Sequence, residues 1–230
     1  MRGSWSIRTR QLLDGAQSPA LLTQLAPMIL LREAEYITVP WKNGSGLTRE
    51  ILKVPADATA FDWRLSLATI EQPGPFSTFE DYDRTLVLVR GAGVELDFGA
   101  YGRAVLRTPG QLAAFDGGWA TSCTLLDGPS SDLNLIVSKA RAEARARLVR
   151  AAAPEIIQTA GWEETLICCI AGAAQVENAA GEIATLSGAD VARCNPDDGV
   201  LTCAPDGTTP VLLFVAALRH PGNTARKAIS

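Results

Sequence analysis

From residue 35 onward the chain alternates between apolar and polar positions. Asp62-Trp-Arg-Leu-Ser-Leu-Ala68 has strict period two. Trp63, Leu65 and Leu67 face one way and Arg64, Ser66 and Ala68 the other, the spacing of a strand with two unlike faces. Thr48-Arg-Glu-Ile-Leu-Lys-Val54 alternates in the same way and stops at Pro55. Residues 36–39, 85–89, 94–98 and 133–137 read as further strands. Arg90-Gly-Ala-Gly93 reads as a hairpin turn, and Trp41-Lys-Asn-Gly-Ser-Gly46 as a turn cluster. Residues 139–148, dominated by Ala, Arg and Glu, predict a helix.

The strand pattern recurs. Thr85-Leu-Val-Leu-Val-Arg-Gly91 resembles Thr165-Leu-Ile-Cys-Cys-Ile-Ala-Gly172, and each is followed by a hairpin return. A Gly-led strand, a Cys-bearing strand around Cys123 or Cys203, and a final apolar strand follow in both places, at an offset of about 80 residues. Five correspondences in one order predict a duplicated, all-β architecture of two barrels. Residues 28–138 form the first and 153–230 the second, with residues 139–152 connecting them and strand exchange between the barrels left open. Met28 is the expected natural start, and residues 1–27 the expected poorly ordered extension.

Composition narrows the function. A net charge of −4 without long runs gives no footprint for nucleic acid or anionic lipid. The leucine-rich stretch before Met28 is too short and too interrupted for a membrane span. The five cysteines include no C-x-x-C pair and read as buried apolar residues of a reducing, cytoplasmic protein. The one histidine, His220, falls in a polar tail and reads as solvated. A chain this poor in histidine argues against a His-rich metal centre or a Ser/His triad, so no metal and no cofactor is expected.

Polar residues crowd the first half, whereas the matching strands of the second read Leu-Ile-Cys-Cys-Ile and Val-Leu-Leu-Phe-Val. A barrel filled by apolar side chains needs no polar lining; a polar-lined one needs a reason. Arg64 and Ser66 share the strand face opposite Trp63, which is either solvent or barrel lumen. In a lumen the Arg64 guanidinium suits a carboxylate and needs a partner, Glu50 or Asp83. Phe76, with Phe79, walls a pocket or covers a core. Asp83 and Arg84 are adjacent and able to form a local ion pair.

Trp41-Lys-Asn-Gly-Ser-Gly-Leu-Thr-Arg-Glu-Ile51, Trp63-Arg-Leu-Ser-Leu-Ala68, Gly74-Pro-Phe-Ser77, Tyr82-Asp-Arg84, Phe115-Asp-Gly117 and Asp132-Leu-Asn-Leu135, in this order, resemble the HutD/Ves family. The resemblance implies a bicupin fold, two fused cupin-like β-barrels, and an association with histidine utilisation. It carries no firm enzymatic activity. By position it implies Trp41, Asn43, Thr48, Arg49, Glu50, Arg64, Ser77, Asp83 and Arg84 as pocket residues, to which the strand pattern adds Ser66 and the loop at residues 74–77 adds Phe76. Ser45 replaces a glycine usual in the family, and Glu80-Asp81 adds negative charge beside the loop.

The resulting expectation is an accessory or regulatory protein that binds a small acidic metabolite, such as a formylated or formiminated glutamate, in a metal-free pocket. A metal-independent enzyme with Glu50 or Asp83 as base, and a structural or protein-partner module, are the alternatives. A homodimer is left open.

Overall fold

The structure, a computed structural model, describes residues 28–41, 44 and 46–222. The extension 1–27, together with Asn43 and Ser45, lies outside them. Among the described residues nineteen strands run in chain order: β1 (Ile29–Leu31), β2 (Ile37–Pro40), β3 (Gly46–Val54), β4 (Trp63–Ile70), β5 (Gly74–Pro75), β6 (Tyr82–Gly91), β7 (Val94–Asp97), β8 (Arg103–Leu106), β9 (Leu112–Asp116) and β10 (Ser122–Leu125). They continue with β11 (Ser130–Ser138), β12 (Glu143–Ala151), β13 (Glu155–Gln158), β14 (Glu164–Ala171), β15 (Ala173–Glu177), β16 (Ile183–Ser187), β17 (Val191–Cys194), β18 (Val200–Pro205) and β19 (Val211–Arg219).

These strands build two units of two sheets each. The first unit pairs a six-stranded sheet, β2-β3-β4-β11-β6-β9, with a four-stranded one, β5-β10-β7-β8. The second pairs β1-β17-β14-β19-β12 with β13-β18-β15-β16. The order β4-β11-β6-β9 is repeated as β12-β19-β14-β17, and β5-β10-β7-β8 as β13-β18-β15-β16, so the internal repeat is realised strand for strand. β1 lies at the edge of the second unit's large sheet, with Ile29 opposite Arg193.

The helix expected over residues 139–148 is a strand instead. β12 pairs with β19 over nine positions, from Glu143 opposite Arg219 to Ala151 opposite Val211. Ala, Arg and Glu are good helix formers, but propensity yields to tertiary context, and nine ladder positions with buried Val149 and Ala151 outweigh it. β12 occupies the place in the second unit that β4 holds in the first.

The two large sheets pack back to back. Trp63, Leu65, Leu67, Val87, Leu133 and Leu135 of the first unit meet Leu166, Cys168, Phe214, Ala216 and Leu218 of the second in one buried core. The first unit's own interior is apolar at one end, around Leu86, Leu88, Leu96, Phe98 and Phe115. The second unit's interior is filled by Ile167, Cys169, Val176, Leu186, Leu201, Leu213 and Val215. All five cysteines are buried and free.

Polar ties cross the seam between the units. Trp63 Nε1 donates to Glu164 Oε2 at 2.7 Å, and Arg193 Nε donates to the other oxygen of the same carboxylate. His220 is not a solvated tail residue: its Nδ1 lies 2.7 Å from Glu163 Oε2, its Nε2 lies 3.0 Å from Asp62 Oδ2, and its ring packs on Trp63. Hydrogen bonds to Asp62 and Glu163 raise the His220 pKa. Burial pushes Asp62 up, but hydrogen bonds from His220 and Arg141 outweigh it and leave Asp62 lowered.

The sign of the pH dependence follows from these shifts. A histidine raised on folding stabilises fully below its ordinary value of 6.5 and loses that contribution as pH climbs through the folded value. The lowered Asp62 contributes above its ordinary value of 3.8 and loses it in acid. The clamp is therefore complete between these two values. Because His220 is 43% exposed, screening limits the contribution to roughly 0.2–1 kcal/mol. His220→Gln is expected to flatten the fall in thermal midpoint between pH 6 and 8.5 (about that range); equal slopes for both proteins in calorimetry would remove the clamp.

Candidate functional site

Period-two alternation decides what enters the first unit. With Trp63, Leu65 and Leu67 of β4 committed to the seam, Arg64, Ser66 and Ala68 point into the interior. On β11, Leu133 and Leu135 face the seam, so Asp132 and Asn134 face inward. On β3, Thr48 and Glu50 point inward. On β6, Arg84 does so. These side chains line one cavity of about 700 Å³, walled also by Trp41, Phe76, Ser77 and Phe79, with Val39, Pro40 and Pro75. That volume suits a small organic ligand.

Trp41 is fixed by its turn. Its N–H donates to the carbonyl of Gly46 at 2.9 Å, its carbonyl accepts from the Gly44 N–H at 3.0 Å, and its indole Nε1 donates to Thr48 Oγ1 at 2.8 Å. The ring stands edge-on to Phe76.

Two guanidinium groups occupy the interior. Arg84 is 5% exposed and lies against the rings of Phe76, Phe79 and Phe115, at 5.3, 5.5 and 5.0 Å from their centroids. Its Nη1 donates to the Ser77 carbonyl at 3.2 Å. Arg64 lies against Phe61 and Phe79. Burial lowers both pKa values, that of Arg84 to about 10, with Asp132 opposing the shift at Arg84 and Glu50 opposing it at Arg64. Both arginines stay charged at neutral pH.

The hydrogen-bonding capacity of this interior is not used up. Six buried side-chain polar atoms among the described residues lack a partner, and five belong to the cavity: Arg64 Nε, Arg84 Nε, both oxygens of Asp132 and Asn134 Oδ1. Asp132 is 2% exposed, and burial pushes its carboxyl up to about 7 against the pull of Arg84. Buried polar groups are normally paired, so such a concentration marks a place shaped for something other than the chain itself.

The structure thus gathers Trp41, Thr48, Glu50, Arg64, Ser66, Phe76, Ser77 and Arg84 around one cavity. Arg49 and Asp83 are not among them, and the reason is alternation. Arg49 sits between the inward Thr48 and Glu50, so it turns outward to Glu33 at 2.9 Å. Glu33 also takes two hydrogen bonds from Arg90 and one from the Ala189 N–H. The bonds from Arg90, against burial, hold Glu33 at about 2. Asp83 precedes the inward Arg84 and is exposed, near Lys139, so the two do not form the local pair considered above. Asn43 lies outside the described residues. Asp132 and Asn134, absent from the expected set, follow from the alternation of Leu133 and Leu135.

A second hollow of about 520 Å³ lies between the units, lined by Asp83, Lys139, Glu143, Arg145, Trp162 and Arg219 among others. Its charges are largely satisfied: Lys139 bonds Asp116, Arg219 bonds Glu143, and Arg145 lies over Trp162. The unpartnered atoms favour the first cavity. No group of three or more His, Cys, Asp or Glu side chains among the described residues is arranged to hold a metal ion. None of the described helices is long and apolar enough to cross a membrane.

The sequence pattern of the HutD family matches residues 33–212. Over 123 residues the chain is 41% identical to a 21.2 kDa protein of the hutC 3′ region in Pseudomonas putida, covering 53% of this chain and 64% of that protein, just under two thirds of its length. Over 138 residues it is 33% identical to protein Ves of Citrobacter koseri, covering 59% of this chain and 69% of Ves. HutD from Pseudomonas fluorescens, solved in a formate condition, superposes with a TM-score of 0.72 at 30% identity, covering 85% of this chain and all of that one (100%). The formate complex of Lactobacillus farciminis oxalate decarboxylase superposes at 0.59 with 10% identity, over 84% of this chain and 86% of that one, which shows a shared bicupin fold alone.

Gly46 carries a local prediction. A β-carbon there would run into the Thr69 carbonyl and come within 3.2 Å of the Trp41 ring. Gly46→Ala is expected to destabilise the protein by about 1–3 kcal/mol, the cost of overpacking, and to shift Trp41. Urea unfolding followed by tryptophan emission measures both, and an unchanged midpoint would show that the turn has room to spare.

Proposed function

The chain belongs to the HutD family, and from that premise we propose that it binds a small acidic metabolite of histidine utilisation in the cavity of its first unit. A formylated or formiminated glutamate is the ligand class, and the role is accessory or regulatory. The carrying observation is the pair of interior arginines, Arg64 and Arg84, each with an unpartnered Nε beside a cavity of about 700 Å³.

A buried cation normally has a hydrogen-bonded counter-charge. Here the rings of Phe61, Phe76, Phe79 and Phe115 support the guanidinium planes without neutralising them. A carboxylate supplies the missing hydrogen-bonded partner and takes up the planar N–H pattern. The relatives support this reading through their names, since one lies in the hutC region and another is HutD itself. Five buried, free cysteines support a cytoplasmic location.

A second reading, a metal-independent enzyme that moves a proton, keeps one specific support. Asp132 is a carboxyl held near neutrality beside Arg84, as a general base requires. Glu50 lines the same cavity, whereas Asp83 points away from it. Turnover of a candidate metabolite by substoichiometric protein would establish this reading, and stoichiometric binding without product would dismiss it for that compound.

Titration calorimetry with N-formyl- and N-formimino-L-glutamate tests the binding reading. Arg64→Ala and Arg84→Lys are expected to lose about 1.5–3 kcal/mol, roughly 10- to 150-fold in Kd, as charged hydrogen bonds do. Arg49→Ala, outside the cavity, is expected to bind as the wild type. Binding indifferent to both cavity substitutions would place the ligand elsewhere.

A further inference from the structure

The cavity's unpartnered atoms are of two kinds. Arg64 Nε and Arg84 Nε are donors; Asp132 Oδ1, Asp132 Oδ2 and Asn134 Oδ1 are acceptors. A ligand with carboxylates alone satisfies only the donors. It would also place negative charge beside Asp132 and leave three buried acceptors unpaired, each at a cost.

We infer that Asp132 and Asn134 form a second recognition pole, so that the ligand class is a carboxylic acid that also carries a cationic, multiply protonated nitrogen, an amidinium or an ammonium. This deepens the binding reading given above and rests on it. Both residues lie on β11 two positions apart and therefore on one face, and they are 2% and 7% exposed. Both line the same cavity as Arg64 and Arg84.

The charges also balance. The interior faces of the packed strands bring Arg64 from β4, Arg84 from β6, Glu50 from β3 and Asp132 from β11 to this space. With Asp132 ionised these four groups cancel. A nitrogen cation bonded to Asp132 keeps it ionised and leaves both arginines to the ligand's carboxylates. A formamidinium donates through more than one N–H and matches the two Asp132 oxygens as a guanidinium matches a carboxylate. An apolar substituent at that place makes no such bond. Burial leaves the free Asp132 carboxyl partly protonated near neutral pH, so a ligand lacking the cation raises the protonated share and takes up a fraction of a proton, whereas a ligand cation holds Asp132 ionised and releases a fraction of one.

Calorimetry of the wild-type protein with four compounds of one chain length tests this: glutarate, N-formyl-L-glutamate, L-glutamate and N-formimino-L-glutamate. The expected result is a preference of about tenfold or more for N-formimino-L-glutamate over glutarate, with the formyl compound between them. Asp132→Asn is expected to shrink that ratio to within about threefold. Repeating the titrations near neutral pH in buffers of unlike ionisation enthalpy is expected to show proton uptake with glutarate and proton release with the amidine.

The outcomes separate two failures. Binding of all four compounds with similar affinity, weakened by Arg64→Ala, would overturn the second pole and leave the carboxylate site standing. Binding of none, or binding indifferent to Arg64→Ala, would overturn both. The wild-type series needs no altered protein, so a misfolded Asp132→Asn would not spare the proposal.

Discussion

Two large sheets share one apolar seam, and the period-two geometry of a strand lets that seam decide what the far face of each sheet contains. Trp63, Leu65, Leu67, Leu133 and Leu135 bury their side chains against Leu166, Phe214 and Leu218. Once they do, Arg64, Ser66, Asp132 and Asn134 have only the interior to occupy. A slip of one residue would put arginine and aspartate into the seam and leucine into the cavity. The polar interior is held there by the cost of the alternative register.

Within the cavity the local problem is charge. A guanidinium 5% exposed without a hydrogen-bonded carboxylate is costly. Three aromatic faces around Arg84 and two around Arg64 reduce that cost electrostatically and leave the two Nε groups without a partner. A salt bridge would have cost less but would have used up the Nε groups that now stand unpartnered at the cavity. Phe79 lies against both arginines and so couples their positions.

Much of this was readable in the chain. The alternation of residues 62–68 separated Arg64 and Ser66 from Trp63, and the offset of about 80 residues gave the duplication. The same alternation, carried through residues 48–50 and 83–84, would have excluded Arg49 and Asp83; position in a familiar motif outweighed it. Nothing local in the chain marks Asp132 as buried, since its strand neighbours alone impose that. Residues 139–148 read as helical because Ala, Arg and Glu are good helix formers. Their Ala-Arg-Ala-Arg alternation, and their spacing from β4, pointed to the strand. Nothing near His220 in the chain shows how it is held, because its partners, Asp62 and Glu163, lie 158 and 57 positions away.

The duplication explains how a polar, incompletely bonded interior is tolerated. Where β11 sends Asp132 and Asn134 inward, its counterpart β19 sends Leu213 and Val215 into a closed apolar core. A cavity of about 700 Å³ removes packing that the first unit would otherwise have, and its unpaired donors and acceptors add to that loss. The second unit makes no such concession and gives the shared seam a rigid backing. β1 strengthens the coupling, since the strand that leads into the first unit is hydrogen-bonded to β17 of the second. The closed apolar core and the polar cavity thus fall to different copies of one repeat, and the seam joins the two.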